Sequence, residues 1–144
     1  MQLGRNNYSI GYSLTKELLL TEQDIMEQAK NCGDENFIHN NETSASNTRF
    51  KGLIASGSAV SALFSAMLPT HFSRKNDVLG LEMSFQFKAP IFPNNQYHMI
   101  WLIEGISGDM EKSGEVISLS GKIIDEAEVT QVLAKAKILL LEKL

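Results

Sequence analysis

Residues 53–72, LIASGSAVSALFSAMLPTHF, form a long and mostly apolar stretch without lysine, arginine, aspartate or glutamate. From Ser56 onward, large apolar side chains recur at the i, i+3, i+4, i+7 and i+8 positions of one helix face. These are Val60, Leu63, Phe64, Met67 and Leu68, and a second side carries Ala59, Ala62 and Ala66. A helix that is apolar around nearly its whole circumference is predicted to be buried. Pro69 is predicted to end it.

Upstream of this helix, the sequence predicts a strand followed by a short helix. Residues 11–20, GYSLTKELLL, have the pattern of a strand that runs into a buried end. Thr21 offers a side-chain oxygen as helix N-cap, acidic residues follow in the first turn, and Gly33 suits the position after the helix C-terminus. Residues 34–41 are therefore expected to be a loop, and residues 41–52 a short polar connection.

Downstream, four consecutive segments have strand patterns, and turn chemistry at Gly108 and Asp109 separates two of them. The segments are MSFQF (83–87), YHMIWLIE (97–104), VISLSGKII (116–124) and VTQVLAKAKILLL (129–141). The inward positions of the last two are expected to be Ile117, Leu119 and Ile123, and Ala134, Ala136, Ile138 and Leu140. Strands joined by short turns pair antiparallel. The sheet would then wrap around the long helix, which is an α+β architecture. Gly121 is expected where the sheet backbone closes onto that helix.

Composition and charge narrow the classes of function. The chain has 144 residues, 43% hydrophobic, which suits a single domain spanning residues 1–144. The net charge is −4 and the basic residues are scattered, so a nucleic-acid partner is not expected. The single cysteine, Cys32, excludes an internal disulfide and a cysteine-built metal site. The N-terminal residues lack a signal-peptide pattern, and no apolar run is long enough for a bilayer. A cytoplasmic protein without a membrane partner is expected.

The segment GDENFIHNN (33–41) concentrates polar side chains just after the predicted helix end. By local chemistry alone, Asp34 and Asn36 are more typical of turn and cap formation than of catalysis. His39 alone is equally compatible with an ordinary loop histidine. His71 and His98 have no acidic or cysteine partner at a metal-ligand spacing, so no metal site is predicted.

Three segments, in this order, resemble the motifs of the MaoC-like dehydratases, which are hotdog-fold proteins related to the (R)-specific enoyl-CoA hydratases. GDENFIH (33–39) resembles the motif GDxNPxH, and TRFKGLIASG (48–57) resembles TRFGGxIAHG. FQFKAPIFPNN (85–95) resembles FxFxxPVFPGD. Each motif alone is modest evidence, and their common order and spacing carry the resemblance.

The resemblance implies a hotdog fold and an acyl-thioester substrate, with coenzyme A or acyl carrier protein as part of that substrate. It implies hydration of an enoyl thioester, or dehydration of the 3-hydroxyacyl thioester, without a metal or redox cofactor. A homodimer is also implied. Carried over by position, Asp34 and His39 would be the catalytic acid/base pair, and Asn36 an orienting residue. Gly57 would donate its backbone N–H to the thioester carbonyl.

Three further residues, Phe37, Ser56 and Ser58, are predicted to contact the substrate. Two of them depart from the family motifs, since Phe37 replaces a proline and Ser56 replaces a histidine. Asn94 and Asn95 replace Gly-Asp in the third motif. The departures at Phe37 and Ser56 keep open the alternative of a non-catalytic acyl-thioester binder, and a hotdog thioesterase is a third possibility.

Several residues keep two interpretations. Gly57 is either the carbonyl donor or a site of close helix packing, and Cys32 is either a helix-end packing residue or a border of the site. Tyr97 and Trp101 are expected in the core or at a dimer contact. The basic residues that could meet coenzyme A phosphates, or could simply be solvated, are Arg49, Lys51, Arg74 and Lys75.

Overall fold

The computed structural model describes residues 8–143, so most of the N-terminal segment considered above for a signal peptide lies outside the described residues. In chain order the elements are β1 (Ser13–Leu19), α1 (Glu22–Asn31), α2 (Phe37–Asn40), α3 (Glu42–Ser46), α4 (Gly57–Phe72), β2 (Asn76–Phe87), β3 (Gln96–Asp109), β4 (Gly114–Asp125) and β5 (Thr130–Glu142). The predicted α+β class is confirmed. Within residues 8–143, none of the helices has the length and apolar character that crossing a membrane requires.

The five strands form one antiparallel sheet in the order β1-β3-β4-β5-β2. The expectation that consecutive strands are neighbours holds for β3, β4 and β5 but is wrong for β2, which pairs with β5. The link from β2 to β3, residues 88–95, contains Pro90 and Pro93, which cannot donate to a sheet ladder. It carries the chain to the other side of the sheet, and β2 and β1 become the two edge strands.

Helix α4 packs one face against the sheet and continues past Pro69 to Phe72. The prediction that Pro69 ends the helix is wrong. Leu68 and Phe72 on either side of it are fully buried, and this burial holds the last turn in place. The expectation of burial on all sides is also wrong for the described chain, because Ala62 and Ala66 on the opposite face are exposed.

The sheet backbone approaches the helix closely at Gly121, as predicted. A Cβ atom there would lie 2.7 Å from ring atoms of both Phe64 and Trp101. These two rings stack with centroids 4.4 Å apart, and Trp101 Nε1 donates to the Phe64 carbonyl oxygen at 2.9 Å. All seven predicted inward positions of β4 and β5 are buried. Only glycine allows the indole and the phenyl ring to lie against the strand.

The segments between α1 and α4 contain more helix than predicted. Asn36 and Asn41 cap two short helices, α2 and α3, where a loop and a polar connection were expected. Side-chain capping stabilises a single helical turn that apolar periodicity cannot reveal. Strand β3 extends to Asp109, so the predicted turn there lies a few residues later. Cys32 is exposed at the end of α1, which contradicts a packing role.

Candidate active site

The end of helix α1 fixes the backbone of Asp34. Gly33 adopts a φ of +77°, and its N–H donates to the Lys30 carbonyl at 3.1 Å. The N–H of Asp34 donates to the Ala29 carbonyl at 2.8 Å. This pair of bonds is the Schellman motif, which requires a left-handed residue that glycine adopts without strain. Asp34 is thus anchored to a helix end that Gly33 makes possible.

Hydrogen bonds made by the side chains of Asp34, Asn36 and Asn40 hold the segment between Asp34 and α2. Asp34 Oδ1 accepts from the Asn36 N–H at 3.1 Å, and Asn36 Oδ1 accepts from the Ile38 N–H at 3.3 Å. The side chain of Asn40 donates to the carbonyl oxygens of Asp34 and Asn36, at 2.9 and 2.8 Å. Asn36 therefore caps α2, and Asn40 ties the loop to the helix. Sequence reasoning missed Asn40, although it directly follows His39, the last residue of the motif.

The imidazole of His39 is buried and held through one ring nitrogen. Nδ1 lies 2.6 Å from the Ile54 carbonyl oxygen. Since a carbonyl oxygen only accepts, Nδ1 must carry the hydrogen of this bond. The Ile54 N–H in turn donates to the Ile38 carbonyl at 3.1 Å, which locks the two segments together. This arrangement directs Nε2 of His39 toward Asp34.

The carboxylate of Asp34 meets both His39 and the start of α4. Asp34 Oδ2 lies 3.5 Å from His39 Nε2, and it accepts from the Ser56 hydroxyl at 2.6 Å. Ser56 is buried at the N-cap of α4, where its oxygen also accepts from the Ala59 N–H at 3.4 Å. The Ser56 bond, the Asn36 N–H and nearby His39 hold the pKa of the Asp34 carboxyl below its ordinary value. Asp34 is therefore ionised at neutral pH.

A largely apolar pocket of about 380 Å³ opens beside His39. Gly57, the first residue of α4, lies in its wall, and the first N–H groups of a helix have no intrahelical acceptor. The other walls come from apolar and aromatic side chains together with Lys88, including Phe50, Ile54, Val60, Phe87, Ile91 and Val132. An N–H at a helix start favours partial negative charge on a bound oxygen. The pocket therefore brings an imidazole and the N–H of a helix start into one apolar space.

The structure brings together some predicted site residues and not others. Asp34 contacts both His39 and Ser56, and Gly57 follows Ser56 at the helix start. Asp34 itself borders a neighbouring pocket of about 440 Å³, with Glu35 and Asn40. Phe37 is half-exposed and Ser58 is exposed, and neither lines either pocket. The prediction that Phe37 and Ser58 contact substrate thus gains no support from the described chain.

Within residues 8–143, no three histidine, cysteine, aspartate or glutamate side chains group so that they could hold a metal ion. His98 pairs with Glu126 at 3.7 Å, and His71 Nε2 lies 2.8 Å from the Tyr12 hydroxyl. Tyr97 and Trp101 are buried in the core, as expected.

Residues 8–122 match the sequence model of the MaoC like domain. The chain belongs to this family. No curated protein matches the sequence at a significant level. The three motifs lie inside the matched range, so the MaoC-like family accounts for the order of the polar loop, the α4 start and the end of β2.

Solved structures share the fold of this MaoC-like protein at low sequence identity. R-hydratase PhaJ1 from Pseudomonas aeruginosa, in the unliganded form, is 20% identical with a TM-score of 0.84, covering 96% of this chain and 86% of that one. The (R)-hydratase from A. caviae involved in PHA biosynthesis is 19% identical with a TM-score of 0.80, covering 92% and 97%. The predicted hotdog fold, a sheet curved around a long helix, is therefore confirmed.

A third similar structure is a complex, that of C-terminally truncated HadBC, a 3R-hydroxyacyl-ACP dehydratase from Mycobacterium tuberculosis. It is 12% identical with a TM-score of 0.73, and the alignment covers 91% of this chain and 97% of that chain.

Proposed function

We propose that this MaoC-like protein is an (R)-specific enoyl-thioester hydratase, or in the reverse direction a 3-hydroxyacyl-thioester dehydratase. One observation carries the proposal, which is the 3.5 Å separation of Asp34 Oδ2 and His39 Nε2 beside the pocket that Gly57 borders. Family membership and the similarity to R-hydratases support the reaction class and the stereochemistry.

The proposed role of Asp34 and His39 is to hold and activate one water molecule. In the proposed resting state the one ring hydrogen of His39 is on Nδ1, so that Nε2 is an acceptor, and the ionised Asp34 is also an acceptor. Two acceptors this close favour a water that donates one hydrogen to each of them. During hydration the water oxygen bonds to C3 of the enoyl group, and its proton passes to the pair. A proton of the pair passes to C2, so the pair ends as it began.

The proposed role of Gly57 is to stabilise the negative charge that develops on the thioester oxygen when water adds at C3. A backbone N–H at a helix start is fixed in place, and the loss of one such donor typically lowers the rate by about 100-fold or more. Coenzyme A or acyl carrier protein would enter as part of the substrate, and the proposal requires no other cofactor.

A spectrophotometric assay tests the proposal. Wild type should remove the enone absorbance of crotonyl-CoA, and Asp34→Asn, which keeps the shape and removes the charge, should not. A thiol-reactive dye in the same cuvette should detect no free coenzyme A. Release of thiol by wild type would instead identify a thioesterase.

A non-catalytic thioester binder is the second candidate. Asp34 borders the neighbouring pocket and not the apolar one, which is the observation that favours this alternative. It predicts that wild type and Asp34→Asn both leave crotonyl-CoA unchanged and bind it with equal affinity.

We also propose that the protein forms a homodimer through strand β2. Its outer edge has no strand partner within residues 8–143, and it exposes Leu79, Leu81 and Met83. Long apolar edges promote pairing with another chain. Sedimentation should show a dimer, and Leu81→Lys should shift it to the monomer. A monomeric wild type would contradict this part of the proposal.

A further inference from the structure

One aromatic side chain lies directly against Gly57, the proposed oxyanion donor. Phe87 is the last residue of β2, and its side chain is 54% exposed. A Cβ atom at Gly57 would lie 3.2–3.4 Å from three atoms of this ring. Phe87 also lines the apolar pocket together with Gly57 and His39. The ring therefore forms the wall of the pocket next to the α4 start.

Neighbouring aromatic rings limit how far Phe87 can turn away. Its ring is nearly parallel to that of Phe85, with an interplanar angle of 18° and centroids 6.4 Å apart. Phe85 in turn lies 6.4 Å from Phe64, which stacks on Trp101 in the core. The four rings form a row from the centre of the domain to the pocket. A ring supported in this way yields less readily to a ligand than an isolated surface side chain.

The position of this ring determines what can surround the thioester carbonyl. A carbonyl oxygen that accepts from the Gly57 N–H lies about 3 Å from that nitrogen. In the proposed pose, the carbonyl carbon and C2 are placed against the Phe87 ring, which stands 3.2–3.4 Å from a Cβ atom at Gly57. A hydrogen on C2 can fit there, whereas a methyl group on C2 would overlap the ring or displace the carbonyl from Gly57.

We propose that Phe87 is a specificity-determining residue that excludes acyl thioesters branched at C2. This inference rests on the proposed function, because it places the thioester carbonyl at Gly57. It narrows the substrate class to thioesters with an unbranched C2 atom. It does not restrict the length or the structure of the rest of the acyl chain.

A pair of substrates and one substitution test the inference. The ratio of kcat/KM for tigloyl-CoA, which carries a C2 methyl, to that for crotonyl-CoA is measured in wild type and in Phe87→Ala. The ratio should be low in wild type and should rise by roughly 10- to 200-fold in the variant, the range typical of one methyl-sized group in an apolar pocket. Because both kcat/KM values are measured on the same protein, a smaller folded fraction lowers both equally and leaves their ratio unchanged.

Leu19→Ala is the matched control. Leu19 lies at the end of the other edge strand, β1, is similarly exposed at 56% and is absent from the walls of the pocket. Its ratio should equal that of wild type. An unchanged ratio in Phe87→Ala, or equal use of both substrates by wild type, would overturn the inference while leaving the hydratase proposal intact.

A binding measurement separates the two proposals if wild type hydrates neither thioester. That result would refute the proposed function. The saturated ligands butyryl-CoA and isobutyryl-CoA, which differ in branching at C2, would then be compared by calorimetry. Phe87→Ala should improve the relative affinity for isobutyryl-CoA, and an unchanged relative affinity would overturn the role of Phe87.

Discussion

The hydroxyl of Ser56 connects the start of α4 to Asp34. Ser56→Ala should therefore lower the free energy of unfolding and raise the pKa of the Asp34 carboxyl. The hydroxyl donates to Asp34 Oδ2 at 2.6 Å and accepts from Ala59 N–H at 3.4 Å. Loss of an N-cap typically costs about 0.5–2 kcal/mol, and the long 3.4 Å contact indicates the lower end. A hydrogen bond to a charged group contributes about 1.5–3 kcal/mol. Water can partly replace it here, because the Asp34 side chain is 24% exposed.

The expected total is a loss of about 1–2 kcal/mol in the free energy of unfolding at pH 7. The loss should be smaller in acid. The pKa of folded Asp34 is lowered, so its stabilising contribution is present above the unfolded value of about 4 and disappears as the pH falls through the lower folded value. In Ser56→Ala, the pKa of folded Asp34 rises toward its ordinary value. The variant therefore loses less stability than wild type as the pH falls, and the difference between the two proteins shrinks in acid.

Urea unfolding of wild type and Ser56→Ala at a series of pH values measures this difference. Ser56→Gly is the control, because glycine at an N-cap costs only a few tenths of a kcal/mol relative to serine. Ser56→Gly should show most of the pH-dependent part of the loss and little of the capping part. A loss in Ser56→Ala that stays constant between neutral and acid pH would refute the coupling between Ser56 and Asp34. In activity assays, the acid limb of the pH–rate profile should move to higher pH in both variants.

Two further substitutions probe the core and the loop. Gly121→Ala should destabilise by about 1–3 kcal/mol or more, because its Cβ would lie 2.7 Å from Phe64 and Trp101. Gly105→Ala, whose nearest contact is Ser118 at 3.7 Å, should cost much less, and equal urea midpoints for the two would contradict the close approach. Asn40→Ala removes the two side-chain bonds that tie the loop to α2, and it should lower kcat for crotonyl-CoA by about 10- to 100-fold through misplacement of Asp34. Full activity in that variant would show that the loop holds its shape without Asn40.

Apolar periodicity and glycine placement predicted most of the fold. The 3.6-residue repeat located α4, and the two-residue alternation of β4 and β5 identified every inward position tested. Gly121 was predicted correctly because glycine weakens the interior of a strand and is typical of places where another chain segment approaches closely. Pairing of β2 with β5 was not predictable in this way. Alternation of side chains shows which residues lie on the same face of the sheet, but it does not show which strand lies next to which. The continuation of α4 through Pro69 depends on the tertiary burial of Phe72.

The candidate site was predicted in part, and the reason differs from residue to residue. The motif resemblance selected Asp34 and His39, which lie in contact although local chemistry favoured turn formation. Ser56 counted as a departure from the family motif, and only the folded structure reveals its bond to Asp34. The Ile54 carbonyl that orients His39 belongs to the backbone, so no side-chain pattern marks it. Phe87 gained its position from the pairing of β2, which the sequence did not predict.

A double-mutant cycle on hydration of crotonyl-CoA tests most directly whether Asp34 and His39 act together on one water. We predict that Asp34→Asn and His39→Gln each lower kcat by about 10²- to 10⁴-fold, the usual contribution of general acid–base catalysis. Because residues that act as a unit show non-additive losses, the double variant should lose little more than either single variant. Losses that multiply in the double variant, or a single variant that keeps full activity, would contradict a shared water between the two side chains.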